Sequence, residues 1–261
     1  MDNEENGPVI GDAPIVIVTG GLRGIGRAII AELHARGYIG ACVDLAEPAA
    51  KQVTDAALPD GFRYYQLDIS FIEQHAALVE TVVKDFGRID TLVNNAGIAV
   101  RPPTDILETA AEDFDRSLAV NLRGTFFLSQ AVARHMVSAT SPHYRSIVNI
   151  SSMASHIASF DRTQYAIGKA AVSKITQLFA ARLAAEQIYV HEVKPGFIKT
   201  PMTAGHSERI DKLIDSLVPV HRWGTPEDVA RSVATLATGG LPYTTGESIW
   251  VAGGVTIPQV R

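Results

Sequence analysis

Three groups of residues in this chain have the types and spacing to do chemistry. The first is a glycine-rich turn, Thr19-Gly20-Gly21-Leu22-Arg23-Gly24-Ile25-Gly26, which follows a short β-branched run and opens into a helix-like stretch. Glycines there let the backbone turn tightly and approach a pyrophosphate, while the helix start presents unpaired N–H groups and the positive end of its dipole. Any sharp strand-to-helix connection can use glycine, so the dinucleotide reading rests on the order strand, glycines, helix. The second is Asp44, which ends the next apolar run. A carboxylate about 20 residues past such glycines accepts hydrogen bonds from adenosine ribose hydroxyls and repels a 2′-phosphate. The third is Tyr165 with Lys169. Four residues apart they share a helix face, and the lysine charge favours phenolate over phenol. The same pair also suits a solvated amphipathic helix.

These groups need elements to position them. Strand-like runs occur at Ile15–Thr19, Ile39–Asp44, Arg63–Asp68, Thr91–Val93, Ser146–Ile150, Ile188–Val193 and Ser248–Val251. Helical spacing covers Arg27–Arg36, Ile72–Phe86 with Gly87 as its stop, and residues 111–137, 162–186 and 226–237. The last has Thr225 as cap and Pro226 as its first helical residue. Strand–helix alternation requires crossover connections. The expected fold is therefore α/β: one doubly wound, Rossmann-type domain over 13–261, with about seven mostly parallel strands and helices on both faces. Residues 1–12 are expected to form a mobile tail.

Composition mainly excludes. With 46% hydrophobic and 20% charged residues the chain is ordinary for a soluble domain. Its net charge of −5 offers no attraction to nucleic acid or acidic membranes. No apolar run approaches the ~20 residues of a membrane span. The acidic start lacks the pattern of a secretory signal, so a cytoplasmic location is expected. The single cysteine, Cys42, excludes an internal disulfide, and none of the eight histidines has a metal-ligand spacing such as H-E-x-x-H. No metal is expected.

The spacing T-G-x-x-x-G-x-G is the form found in the short-chain dehydrogenase/reductase family, which the chain resembles along nearly its whole length. Asn94-Asn95-Ala96-Gly97 matches the family's N-N-A-G, and Tyr165-Ala166-Ile167-Gly168-Lys169 its Y-x-x-x-K. Asn121 falls where the family keeps a catalytic asparagine, Ser152 follows the fifth strand, and Pro195-Gly196 with Thr200 matches the P-G…T segment. The resemblance implies a nicotinamide cofactor that carries the hydride, leaving the protein to position substrate and handle one proton. Tyr165 suits that proton only if its pKa falls from about 10 toward 7, about 4 kcal/mol of differential stabilisation. Lys169 would favour the phenolate, Ser152 would hydrogen-bond the substrate oxygen, and Asn121 would anchor a water linking Lys169 to solvent.

For the cofactor, the resemblance implies contacts from Gly20, Arg23, Gly24, Ile25, Gly26, Asp44, Leu45, Asp68, Ile69, Asn95, Ala96, Gly97, Tyr165, Lys169, Pro195, Gly196, Ile198 and Thr200. Asp68 would meet the adenine ring, whereas Asn94 reads better as a tie between strands. Asp44 favours NAD over NADP; Arg23, a cation inside the glycine turn, points the other way.

Residues 202–218 lie where the family places a substrate-covering lid. His206, Arg209 and Lys212 within it, and Lys199, His221 and Arg222 around it, could bind an anionic substrate group or simply solvate an exposed helix. Arg101 and His156 also lie where substrate would approach. Two positions depart from common family patterns: Ala252 in Val251-Ala252-Gly253-Gly254, where many relatives have aspartate, and Lys194 before Pro195. The nearest likeness is to bacterial 3-oxoacyl-acyl-carrier-protein reductases and to sugar or polyol dehydrogenases. Asp44 tilts the expectation toward NAD-linked oxidation of a secondary alcohol on a sugar, polyol or hydroxy-acid. A 3-oxoacyl-acyl-carrier-protein reductase is the alternative, and a non-catalytic NAD-sensing regulator is one of another class. Family analogy implies a homotetramer packed through residues 111–137 and 162–186 and the C-terminal strand Ser248–Val251 with the tail through Pro258.

Overall fold

The computed structural model describes residues 12–51, 57–99, 102–204 and 207–258. Its strands are β1 (Ile15–Thr19), β2 (Ile39–Asp44), β3 (Phe62–Gln66), β4 (Thr91–Asn94), β5 (Arg145–Ile150), β6 (Ile188–Pro195) and β7 (Ser248–Val251). The helices are α1 (Gly24–His34), α2 (His75–Phe86), α3 (Ala111–Leu118), α4 (Thr125–Ser138), α5 (Thr163–Leu183), α6 (Ser207–Leu217) and α7 (Pro226–Ala237). The strands form one sheet in the order β3-β2-β1-β4-β5-β6-β7, and every pairing is parallel. Strand order reverses between β1 and β4, which opens a crevice at the carboxyl ends of those strands.

Helices cover both faces of the sheet. On one face Ile17, Leu92 and Val190 pack with Val82 of α2, Leu128 of α4 and Leu183 of α5. On the other, Val16, Val18 and Val193 pack with Ile29 and Ile30 of α1 and Val229 and Val233 of α7. Strands sandwiched in this way bury side chains on both faces, which is why β1 is a continuous apolar run buried at every position. Among the described residues no helix is long and apolar enough to cross a membrane.

Local chemistry sets several boundaries where the sequence places them. Gly87 ends α2 in the left-handed region, at φ 85°, with its N–H on the Val83 carbonyl at 2.7 Å. At the start of α7 the Thr225 hydroxyl accepts from the Asp228 N–H (3.2 Å), and the Asp228 carboxylate accepts from the Thr225 N–H (2.9 Å). With Pro226 in the first turn, this is a complete capping box. The Arg222 guanidinium beside Asp228 holds its carboxyl down, to about 2.

Other boundaries differ: α1 spans Gly24–His34 rather than Arg27–Arg36, a 3-10 turn over Ile72–Gln74 precedes α2, and β4 and β6 run on to Asn94 and Pro195. β3 stops at Gln66, so Asp68 stands beyond the strand. The stretch 111–137 is not one helix: α3 and α4 are joined by a π-helical segment, Ala119–Gly124. Its last residue passes so close to the backbone after β3 that a Cβ at Gly124 would stand 2.5 Å from the Ile69 carbonyl oxygen. The stretch 162–186 ends as α5 at Leu183, followed by a 3-10 turn over Ala184–Glu186.

Candidate active site

A cleft of about 810 Å³ lies along the carboxyl ends of the strands and gathers both chemistry-bearing regions. On its first side the turn after β1 is held rigidly by its own neighbours. The Gly20 N–H donates to the Val43 carbonyl (2.7 Å), and the Asn95 side-chain amide donates to the carbonyls of Thr19 (2.9 Å) and Gly20 (3.0 Å). The N–H groups of Asn95 and Ala96 both donate to the Thr19 hydroxyl at 3.0 Å. Gly20 has φ +65°, and a Cβ at Gly26 would stand 2.1 Å from the Gly20 carbonyl oxygen. Gly26 is therefore a packing residue under the turn, while Gly20, Arg23, Gly24 and Ile25 line the cleft. α1 begins there with no side chain capping its first turn, so its N-terminal N–H groups are left for an anion. This cradle fits a dinucleotide pyrophosphate.

Farther along this side, the Asp44 carboxylate accepts from the N–H of Leu22 (3.3 Å) and of Leu45 (2.9 Å). Those bonds aim it at the cleft edge, where Leu45 is exposed. Asp68 accepts from the Ser70 N–H (2.9 Å) and hydroxyl (2.8 Å), and it lines the cleft with Ile69. Asn94 ties the strands instead: its amide donates to Ser129 and to Asn149, both at 2.8 Å.

The opposite side is built by α5 and the segment after β5. Ser152, Tyr165 and Lys169 line the same cleft, one helical turn separating the last two. The Lys169 ammonium donates to the Ile150 carbonyl at 2.8 Å and sits 5.9 Å from the centre of the Tyr165 ring. Asn121 is fully buried in the π segment. Its side chain clasps the Ile98 backbone, accepting from its N–H (3.0 Å) and donating to its carbonyl (2.8 Å). A Cβ at Gly97 would stand 2.9 Å from Asn121 Oδ1 and 3.2 Å from Lys169 Nζ. The glycine of N-N-A-G is thus what lets these two polar groups converge.

The electrostatics depart from expectation at Tyr165. Burial pushes the phenol above its ordinary value, and the Ser152 hydrogen bond and the Arg162 charge act against that shift. Lys169 is pushed down to about 8 by burial, with the Glu192 charge acting the other way. The protein alone therefore does not set Tyr165 near neutrality, because desolvation exceeds the help it receives.

A family model described as Enoyl-(Acyl carrier protein) reductase matches residues 20–256. A 3-oxoacyl-[acyl-carrier protein] reductase from Brucella melitensis, solved in complex with NAD, superposes with a TM-score of 0.90 at 41% identity, covering 95% of this chain and 99% of that one. The chain is a short-chain dehydrogenase/reductase. A (3R)-3-hydroxyacyl-CoA dehydrogenase from Mus musculus is 37% identical over 92% of this chain and 95% of its own length. A 2-dehydro-3-deoxy-D-gluconate 5-dehydrogenase from Dickeya dadantii is 34% identical, over 92% and 94%.

In this short-chain dehydrogenase/reductase Pro195, Gly196, Ile198 and Thr200 also line the cleft, with Asn95, Ala96 and Gly97. Gly196 packs against Ala252, where a Cβ would fall 2.8 Å from the Ala252 Cα. The alanine that departs from the family pattern therefore supports the cleft floor. His156 is exposed and its ring meets Trp250 edge-on at 5.7 Å, so it stands beside the cleft rather than on its lining. Arg101 and His206 lie outside the described residues, as does the side chain of Arg209. Sequence reasoning missed Arg162, which lines the cleft one turn before Tyr165. The signal was its place at the start of that helix, three residues before the tyrosine, where it stands as the residue preceding the first turn of α5.

Proposed function

We propose that this enzyme is an NAD-linked dehydrogenase that oxidises a secondary alcohol on a small hydroxy-acid, sugar acid or polyol. The observation that carries the reading is that Ser152, Tyr165 and Lys169 share one cleft with the glycine turn and Asp44. When bound, the nicotinamide supplies the hydride acceptor. Gly20, Arg23, Gly24 and Ile25 would hold the pyrophosphate, Asp44 the adenosine ribose and Asp68 the adenine. Ser152 donates to the substrate oxygen and orients it. Tyr165 takes that oxygen's proton, its phenolate favoured by the Lys169 ammonium and, once an oxidised dinucleotide is seated, by the positive charge of the ring. Asn121 would hold the water through which Lys169 reaches solvent.

Arg162 supports an anionic substrate. It lines the cleft, its charge reaches Tyr165, and it forms no ion pair among the described residues. A planar guanidinium there suits a carboxylate. The segment 202–218 would act as the lid, since Met202, Ile210, Leu213 and Leu217 border the same cleft. Their apolar character, with the names of the relatives, supports 3-hydroxyacyl thioesters as a second reading. We place the enzyme in the cytoplasm as a homotetramer. Exposed Val137 on α4 and Ile167 and Leu178 on α5 support packing through those helices.

The test follows absorbance of the reduced cofactor, with NAD and with NADP, over polyols, sugar acids, hydroxy-acids and 3-hydroxyacyl thioesters. Turnover is expected with NAD on a hydroxy-acid or sugar acid, and Arg162→Gln should raise KM for that substrate about tenfold with little change in kcat. Measurable NAD binding with no turnover on any class would turn the reading to an NAD sensor.

A further inference from the structure

Along β6 the residues facing α5 begin as an apolar row, Ile188 and Val190, and then break into Glu192 and Lys194. Glu192 is only 1% exposed. A carboxylate in that position needs partners. It accepts hydrogen bonds from the Ser173 hydroxyl of α5 (2.7 Å) and from the Ser248 hydroxyl of β7, and the Lys194 ammonium stands 3.5 Å away. That lysine is shared, since it also lies 5.1 Å from the centre of the Trp250 ring. Ser173 is one helical turn beyond Lys169. Lys169 in turn bonds the carbonyl of Ile150, whose register partner on β6 is Val193, the residue after Glu192. The buried anion and the active-site lysine therefore occupy the same layer between sheet and α5.

We propose that Glu192 is a positioning residue for the proton-transfer machinery: a buried anion that, through the interior between β6 and α5, keeps Lys169 in its ammonium form. This rests on the catalytic reading of Tyr165 and Lys169 given above. The groups acting on Lys169 are the Tyr165 ring on its own helix, the Ile150 carbonyl of β5 and Glu192 of β6. Of these only Glu192 is an anion that offsets burial, which otherwise drives the lysine toward its neutral form. Lys194 moderates that field by partly neutralising Glu192. This accounts for a lysine where the family pattern gave no reason for one.

The experiment is an NMR titration of Lys169 in protein labelled with ¹³C at lysine Cε, the signal assigned by its loss in Lys169→Met. A lysine is charged below its midpoint, so weakening a neighbouring anion lowers the midpoint. Glu192→Gln should move it down from about 8 by about one pH unit. Glu192→Asp should restore much of the shift. Lys194→Gln removes the moderating cation and should move the midpoint up, which keeps the test open if Glu192→Gln fails to fold. In turnover, the alkaline limb of kcat/KM should shift in the same directions, because it marks loss of the lysine charge. A role in fold stability alone would lower Tm and leave the midpoint in place. An unmoved midpoint in the folded variants overturns the proposal. Since the titration needs no substrate, a shifted midpoint in an enzyme that turns over none of the tested compounds would count against the substrate reading alone.

Discussion

On the β1–β4 side of the cleft the dinucleotide cradle is made from backbone, and what matters is the absence of side chains. Gly20 takes a left-handed conformation, Gly26 leaves room for the Gly20 carbonyl, and Asn95 stitches the turn down with two hydrogen bonds. On the β5–β6 side the working groups are side chains, and their protonation states are set by burial: Tyr165 pushed up, Lys169 pushed down to about 8. The first side is fastened by hydrogen bonds to its backbone, and its charged side chains, Arg23, Asp44 and Asp68, stand around the cradle rather than forming it. The second holds a phenol, an ammonium and a buried carboxylate within one layer. Damage to the first should therefore appear in cofactor affinity, and damage to the second in the rate and its pH dependence.

The largest separation is expected from Tyr165→Phe, which removes one hydroxyl and nothing from the cradle. Turnover should fall by about 10³-fold, within the usual range for a lost general acid or base, while dinucleotide affinity stays unchanged by fluorescence titration. A parallel loss of affinity would show that the two sides are one binding surface and would break the comparison.

The two sides also differed in how readily they could be read from residues alone. The cradle is local: strand, glycines and helix are contiguous, so Thr19 to Gly26 announces itself. The same holds for the start of α7, marked by Thr225 as cap and Pro226 after it, to which the structure adds the reciprocal bond from Asp228. The central strands β1, β2 and β4 were legible because burial on both faces makes them largely apolar runs, whereas the edge strands β3 and β7 are only partly buried. The catalytic side depends on tertiary contact. The π segment at Asn121 is fastened to the backbone of Ile98, 23 positions away, which no helical periodicity reports. The sign of the Tyr165 shift follows from burial, and burial of a half-polar helix face is decided by what packs on it. Glu192 reads in sequence as an unremarked polar residue in a strand; only its pairing with Ser173 and Ser248 shows it to be interior.

A smaller effect is expected from Gly26→Ala. One methyl group would have to fit where a Cβ meets the Gly20 carbonyl oxygen at 2.1 Å, so the turn must shift. Overpacking of this kind costs about 1–3 kcal/mol. Spent on the cradle, that corresponds to dinucleotide Kd rising by roughly 5- to 150-fold. kcat at saturating cofactor should change little, because α5 is untouched. A fall in kcat as large as the loss in affinity would mean that the turn also positions the reacting atoms.

The finest distinction concerns Asp44, the anionic side chain through which the cradle side would discriminate. Its two oxygens accept from Leu22 and Leu45, and an asparagine can keep only one of those bonds, since its amide nitrogen donates. Asp44→Asn thus loses charge-assisted acceptance from the ribose hydroxyls and also the repulsion that excludes a 2′-phosphate. The ratio of kcat/KM with NAD to that with NADP should fall by about tenfold, with most of the change in KM. Arg23, lining the cleft beside the same edge, is free to favour the phosphate once the carboxylate is neutral. The double variant Asp44→Asn, Arg23→Ala should therefore lose the gain with NADP and keep the loss with NAD. If the single variant leaves the ratio unmoved, the Asp44 charge does not discriminate, and the double variant then shows whether Arg23 does or whether the backbone of the cradle acts alone.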